Sequence, residues 1–233
     1  MGIYDREYYR NDDRGWGGIG RQPVTFWLIG ITVVAWFAQL ATRHAAGGGV
    51  TGYGVYDTAR VLDGELWRLV TPIFLHSEGM LTHIVFNMIV LWWVGQQLEA
   101  RYGRHEFLAF YLTAGVFANA INLLVEATGL KAYSVGYGAS GAVTAALVLY
   151  AFLEPRRQIL VMFVLPMPIW VAVTIYVVLD VLGALGARID GAPVAYVVHL
   201  GGALFGAVYY LAGLQLLSLG VTFRRDQQAR RPA

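Results

Sequence analysis

Residues 135–153 read VGYGASGAVTAALVLYAFL, a glycine-rich turn followed by an apolar run with no charged side chain. The apolar segment is 139–153, which predicts a helix buried in protein or lipid, and Ser140 stands at its start. Five further apolar segments flank it, at 24–42, 80–98, 106–126, 158–186 and 193–219. Because a membrane-crossing helix needs about 20 apolar residues, the pattern predicts a polytopic membrane protein with six transmembrane helices.

The composition also favours a membrane location. Of the 233 residues, 57% are hydrophobic and 14% are charged, whereas about 25% of a typical soluble domain is charged. A water-soluble core of this size cannot hide so many apolar side chains. We therefore expect an all-α bundle with the lipid bilayer as its solvent.

The chain divides into three predicted parts. Residues 1–22 are polar and predict a cytoplasmic tail, residues 23–220 hold the six-helix membrane domain, and residues 221–233 form a second cytoplasmic tail. The connection between the first two helices contains ELWRLVTPIFLH at 65–76, which is too polar to span. We expect this first loop to be partly embedded in the bilayer.

The distribution of arginine sets the orientation. Arginines concentrate on the connections that are cytoplasmic when the N-terminus is inside, as the positive-inside rule requires. Both termini are therefore expected in the cytoplasm, and the expected location is the plasma membrane of a prokaryote. The same scattered arginines argue against nucleic acid as a partner, because they form no basic face.

The sequence predicts no metal or cofactor site. Cysteine is absent, which excludes disulfides and thiolate ligands, and there is no HExxH motif. The polar residues within the apolar segments, a serine, two histidines and an asparagine, lack convincing metal-ligand spacing. We therefore expect any reaction of this protein to be carried out by its own side chains, without a metal or cofactor.

Ser140 is the first candidate for that chemistry. It follows the glycine-rich turn at a helix N-terminus, where free backbone N–H groups and the helix dipole favour developing negative charge. Acyl transfer needs such an environment for its oxyanion. The alternative is that Ser140 only caps the helix, as serines often do.

His199 is the second candidate, within VVHLGGALFG of the last segment. His199, Gly202 and Gly206 share one helix face, and small residues allow close helix contact in a membrane. Gly141 offers a matching small surface on the fourth helix. The alternative is a structural histidine that hydrogen-bonds across helices.

The predicted depths of the two residues agree. Counting 1.5 Å per residue from the helix ends puts Ser140 ~10 Å and His199 ~9 Å below the outer surface of a ~30 Å hydrocarbon layer. His83 and Asn87, four residues apart near the outer end of the second helix, could donate hydrogen bonds to an oxyanion. Their alternative role is polar contact between helices.

The motifs together resemble the rhomboid family of intramembrane serine proteases, over about residues 60–215. They occur in the family's order: Trp67-Arg68, His83-x-x-x-Asn87, Gly138-x-Ser140-Gly141 and His199-x-x-Gly202-x-x-x-Gly206.

The resemblance implies that Ser140 is the nucleophile and His199 the general base of a dyad without aspartate. It further implies that His83, Asn87 and the Ser140 N–H form the oxyanion site and that Gly138 allows the tight turn. Trp67 and Arg68 would support the embedded loop, and the implied substrates are transmembrane proteins.

Two positions depart from the motifs or lie outside them. Thr144 stands where some family members carry an aromatic residue that packs on the base, and Tyr137 or a residue of the sixth helix would have to replace that packing. Asp180 lies in the fifth segment with no motif that assigns it a role, so an arginine or water is its expected partner.

Two rival functions fit a six-helix membrane protein. A small transporter or channel would also carry polar residues at mid-depth, but would more often show paired repeats or broken helices. A rhomboid-like protein without activity would bind membrane clients, but would usually lack the serine or the histidine. A serine-reactive probe separates both rivals from a protease.

Overall fold

The computed structural model describes residues 23–131, 134–161, 164–186 and 195–217, and in these residues the chain is mainly helical. The helices are α1 (Val24–Thr42), α2 (Gly49–Gly54), α3 (Thr58–Leu62), α4 (Leu81–Tyr102), α5 (Arg104–Ala127), α6 (Ser140–Leu153), α7 (Ile169–Ala184) and α8 (Tyr196–Leu211). The predicted tails 1–22 and 221–233 lie outside the described residues.

Helix α6 is the centre of the bundle. It contacts α4, α5, α7 and α8, and most of its side chains are buried. Its alanines and Gly141 make this possible, because small side chains let neighbouring backbones approach closely. A methyl group at Gly202 of α8 would overlap the carbonyl oxygen of Gly141, and one at Gly206 would overlap that of Ala145.

The fifth predicted segment, 158–186, is wrong as a continuous helix. Its first part is a hairpin of β3 (Gln158–Val161) and β4 (Leu165–Pro168), and the helix begins only at Ile169. Pro166 and Pro168 explain the difference, because proline lacks the amide hydrogen that a helix interior uses. Among the described residues, this hairpin and one shorter strand pair make up the β-structure of the fold.

The length of the helices bears on how they cross a membrane. Among the described residues, α1 and α5 are long and apolar enough to cross. Helices α6, α7 and α8 are apolar but have only 14 to 16 residues, or ~21–24 Å at 1.5 Å per residue. That the chain crosses the membrane six times stays a prediction.

The first loop is folded by its own side chains. Arg68 is 1% exposed, and its guanidinium donates to the carbonyl oxygens of Val55 (2.8 Å) and Gly52 (3.0 Å) and to Glu65. Trp67 stacks on Tyr53 at 5.4 Å between ring centroids. These contacts lie within the loop and stabilise its irregular backbone.

The first loop is also joined to the segment that leads into α6. Strand β1 (Tyr56–Asp57) pairs antiparallel with β2 (Val135–Gly136), and Gly138 N–H donates to the Pro72 carbonyl at 2.9 Å. The position of Ser140 therefore depends on the first loop.

A buried carboxylate strengthens this connection. Glu126, near the end of α5, accepts hydrogen bonds from the hydroxyls of Tyr56 and Thr58 in the first loop, from Ser134 and from the Asn122 amide. Burial raises the pKa of the Tyr56 hydroxyl to about 12, so that it remains a donor. The cluster links the loop, α5 and the segment before α6.

Candidate active site

Ser140 is the first residue of α6. The preceding residue, Ala139, occupies the cap position, and no side chain among the described residues caps the first turn. Ser140 therefore does not act as the helix cap. The N–H groups of this turn are left to interact with a bound group, which the helix dipole makes favourable for an anion.

Gly138 keeps open the space in front of Ser140. Its φ of 143° lies in the region that favours glycine. A Cβ at this position would lie 3.1 Å from the Cε1 and Nε2 atoms of His83 and 3.5 Å from Ser140 Oγ. His83 and Ser140 thus border one small space, which a side chain at 138 would fill.

The environment of His83 determines which ring nitrogen carries its proton. Its Nδ1 accepts the Ser77 amide N–H at 3.4 Å, so in the neutral ring Nε2 holds the hydrogen. Nε2 is also the atom that borders the space at Gly138. Asn87, one turn further along α4, is buried and donates from Nδ2 to the His83 carbonyl oxygen at 2.7 Å.

His199 on α8 faces two side chains of α7. Its Nδ1 lies 2.9 Å from the Tyr176 hydroxyl and 3.1 Å from Asp180 Oδ1. The Tyr176 hydroxyl is also 3.3 Å from Thr144 Oγ1. The Tyr176 ring lies 5.7 Å from the His199 ring, so Tyr176 provides the aromatic contact that Thr144 cannot make. The sequence suggested Tyr137 or a residue of the sixth helix for this contact, but the Tyr137 ring lies near His83.

Asp180 has a partner that the sequence did not suggest. The sequence suggested an arginine or water as its partner, but the structure places its carboxylate on His199. Tyr176 and Asp180 are four residues apart, so the sequence shows that they share a helix face but not which helix they contact.

Ser140 and His199 lie on packed helices. A Cβ at Gly141, next to Ser140, would lie 2.9 Å from the side chain of Val198, which precedes His199. Among the described side chains no hydrogen bond joins Ser140 to His199, and the dyad stays a prediction. Such bonds often tighten only when substrate binds.

The family described as Rhomboid domain matches residues 63–216, which is more than half of the chain. The chain belongs to the rhomboid family. This range includes every motif residue quoted above, from Trp67 to Gly206.

Several named rhomboids are similar to this chain. The rhomboid protease GluP of Bacillus subtilis (strain 168) is 30% identical over 144 residues, 60% of this chain and 27% of GluP. The human mitochondrial presenilin-associated rhomboid-like protein is 32% identical over 152 residues, 64% of this chain and 39% of that protein. Rhomboid-like protease 3 of Toxoplasma gondii is 34% identical over 83 residues, 35% of this chain and 31% of the relative. The matched region thus spans well under half the length of these three relatives.

The site of this rhomboid contains one residue that the sequence analysis missed. His76, in the first loop, is fully buried, and its Nε2 accepts the Ala139 amide N–H at 3.5 Å. Its backbone exchanges two hydrogen bonds with the Gln39 side chain of α1, and its ring lies 5.1 Å from that of His83. An irregular loop has no periodic pattern from which a buried position can be predicted. The only indication in the sequence that His76 is buried was its place in the apolar stretch 65–76.

His76 should make this rhomboid sensitive to acid. Burial, with a smaller contribution from nearby His83, lowers the pKa of His76 to about 3, against about 6.5 in an unfolded chain. Stability from this group is complete above pH 6.5 and falls as the pH drops towards 3, because only the unfolded state binds the proton.

We expect this loss to reach up to about 1.4 kcal/mol per pH unit. Thermal unfolding of the purified protein between pH 7 and 4 measures it. His76→Gln, which does not titrate, should be less stable at pH 7 and show a shallower pH dependence. Parallel curves for the two proteins would contradict the assignment.

Proposed function

We propose that this rhomboid is an intramembrane serine endopeptidase that cleaves transmembrane or membrane-proximal segments of other membrane proteins. The observation that carries the proposal is the arrangement around Ser140. Its hydroxyl and His83 Nε2 border the space at Gly138, at the uncapped start of a buried helix that packs against the helix of His199. That combination suits acyl transfer.

In this mechanism Ser140 and His199 form the catalytic dyad. The Ser140 hydroxyl oxygen attacks the substrate carbonyl carbon while His199 Nε2 takes the hydroxyl proton. The resulting tetrahedral intermediate collapses, the peptide C–N bond breaks, and His199 gives its proton to the leaving amine. Water then attacks the acyl carbon and gives a proton to His199, and His199 passes it to the Ser140 oxygen as the ester C–O bond breaks.

The oxyanion of the intermediate needs donors that are already in place. We assign the Ser140 backbone N–H and His83 Nε2–H to this role, because the first lies at the uncapped start of α6 and the second borders the space at Gly138 next to the Ser140 hydroxyl. One Asn87 amide hydrogen is donated to the His83 carbonyl of the same helix, which leaves the second amide hydrogen free. We assign this second hydrogen as a donor to the oxyanion. Removal of one such donor typically costs about 100- to 1000-fold in rate.

The surface of the bundle supports a membrane location. Large apolar side chains are exposed along α1 and α7, among them Trp27, Val34, Phe37, Trp170 and Val178. Exposed apolar surface on this scale suits contact with lipid. We propose six spans, α1 and α4 to α8, with both termini in the cytoplasm of a prokaryote.

Relatives support the same activity. GluP and the Toxoplasma relative are named as proteases, and we extend that activity to this chain because it keeps the serine, both histidines and the asparagine of the motifs. The presence of Ser140 and His199 disfavours an inactive client-binding protein.

A serine-reactive probe tests the proposal directly. The purified protein in detergent is incubated with a fluorophosphonate, and the modified peptide is found by mass spectrometry. We expect labelling at Ser140 alone, because an activated serine reacts far faster than a free hydroxyl. Labelling should disappear when the protein is first denatured. Equal reaction of folded and denatured protein, or modification elsewhere, would refute the proposal.

A further inference from the structure

We propose that Asp180 is a positioning residue for the proton transfer, so that the dyad of this rhomboid works as a Ser140–His199–Asp180 triad. This inference rests on the proposed function, because it assigns a role to a neighbour of the proposed base. The resemblance to rhomboids implied a base without aspartate, and the arrangement on α7 and α8 goes beyond it.

The first argument is the burial of the carboxylate. Asp180 Oδ1 lies 3.1 Å from His199 Nδ1, and the side chains are 6% and 11% exposed. Its other oxygen, Oδ2, is buried and has no hydrogen-bond partner among the described residues. A buried carboxylate is costly unless it is paired, and His199 is the partner that the structure gives it.

The second argument is the tautomer of the imidazole. A carboxylate facing Nδ1 requires the proton on that nitrogen, which leaves the lone pair on Nε2. Nε2 is then the atom that can accept the Ser140 proton. The Tyr176 hydroxyl, 2.9 Å from Nδ1, is compatible with this tautomer because its own hydrogen can point to Thr144 Oγ1, 3.3 Å away.

The third argument is charge. When Ser140 gives up its proton, His199 becomes an imidazolium in a largely buried site. His83 of α4 is close enough to interact electrostatically with His199, and it provides no negative charge to stabilise it. The other described titratable groups near His199 are the neutral Tyr176 hydroxyl and the Asp180 carboxylate. Asp180 is therefore the group that supplies negative charge there. Its carboxylate stabilises the charge that develops in the transition state.

A purely structural role is the alternative, because the same hydrogen bond would also hold α7 to α8. Glu106 provides the matched control. It is a buried carboxylate on α5 that accepts from the Tyr209 hydroxyl and from the backbone N–H groups of Leu216 and Leu217. Its amide variant should lose stability without any change in proton transfer.

The test compares Asp180→Asn with Glu106→Gln in cleavage of a transmembrane reporter by monodisperse protein. We expect Asp180→Asn to lower kcat by about 10- to 1000-fold with KM changed by less than about twofold. The acid limb of its pH–rate profile should also differ from that of the wild type, because this limb responds to the charge next to the proposed base. Glu106→Gln should unfold at a lower temperature and keep the acid limb. Wild-type kcat and an unmoved acid limb in Asp180→Asn would overturn the triad.

A measurement on the unmodified protein covers the case in which Asp180→Asn does not fold. Nitrogen-15 NMR of histidine-labelled protein should show neutral His199 protonated on Nδ1, with the signal assigned by its loss in His199→Ala. Protonation on Nε2 would overturn the inference. If the wild-type protein cleaves the reporter but the Asp180→Asn kinetics or the His199 tautomer contradicts the inference, only the triad fails. If the wild-type protein neither cleaves the reporter nor reacts with the serine probe, the protease proposal fails and the triad fails with it.

Discussion

Replacement of Ser140 by alanine is expected to abolish cleavage of a transmembrane reporter, lowering the rate by more than about 1000-fold. The reason is that no other group in the described site offers an oxygen at the start of α6, next to the space at Gly138. Cleavage is followed by gel electrophoresis of the reporter after reconstitution into liposomes. The variant should fold normally, because Ser140 makes no cap hydrogen bond that would be lost.

A second variant controls for the removal of a hydroxyl as such. Thr174→Ala on α7 deletes a side chain whose hydroxyl donates to the Trp170 carbonyl of its own helix. It should cleave the reporter at a rate close to that of the wild type. Cleavage by Ser140→Ala at the rate of this control would exclude Ser140 as the nucleophile.

The second large effect is expected at the contact between α6 and α8. Gly202→Ala should lower the free energy of unfolding by about 3 kcal/mol or more and remove activity, because the new methyl group would overlap the Gly141 carbonyl oxygen. That atom belongs to the backbone, so it can move only if the two helices separate. Thermal unfolding in detergent, followed by circular dichroism, measures the loss.

Gly30 provides the matched control for this substitution. It lies in α1, and a Cβ there would have no neighbour within 4 Å. Gly30→Ala should leave stability unchanged or raise it by about 0.5–1 kcal/mol, since alanine loses less backbone freedom in a helix. A similar loss in both variants would show that the loss does not come from helix contact.

Much of the fold followed from hydropathy. Apolar segments 24–42, 80–98 and 106–126 correspond closely to α1, α4 and α5, because a helix satisfies its backbone hydrogen bonds within one continuous apolar run. The hairpin at 158–168 was missed because its side chains are as apolar as those of a helix. The prolines at 166 and 168 indicate that this stretch is not helical, but hydropathy alone does not take them into account.

The candidate site was predictable where local sequence carries the information. Ser140 could be placed because a glycine-rich turn and a helix start adjoin in the chain. The contact of Asp180 with His199 could not, because it depends on how far α7 is rotated about its own axis. His76 was missed for a related reason, since the irregular loop around it has no repeat from which a face can be read.

The first loop shows what an irregular segment requires if it is to sit at the depth of a bilayer. Carbonyl groups there have no water to bond, and each one left bare would cost several kcal/mol. Arg68 meets two of them with one planar guanidinium, while Thr71 donates to Gly54. The side chains of the loop thus act as an internal substitute for solvent for the backbone that joins its short helices.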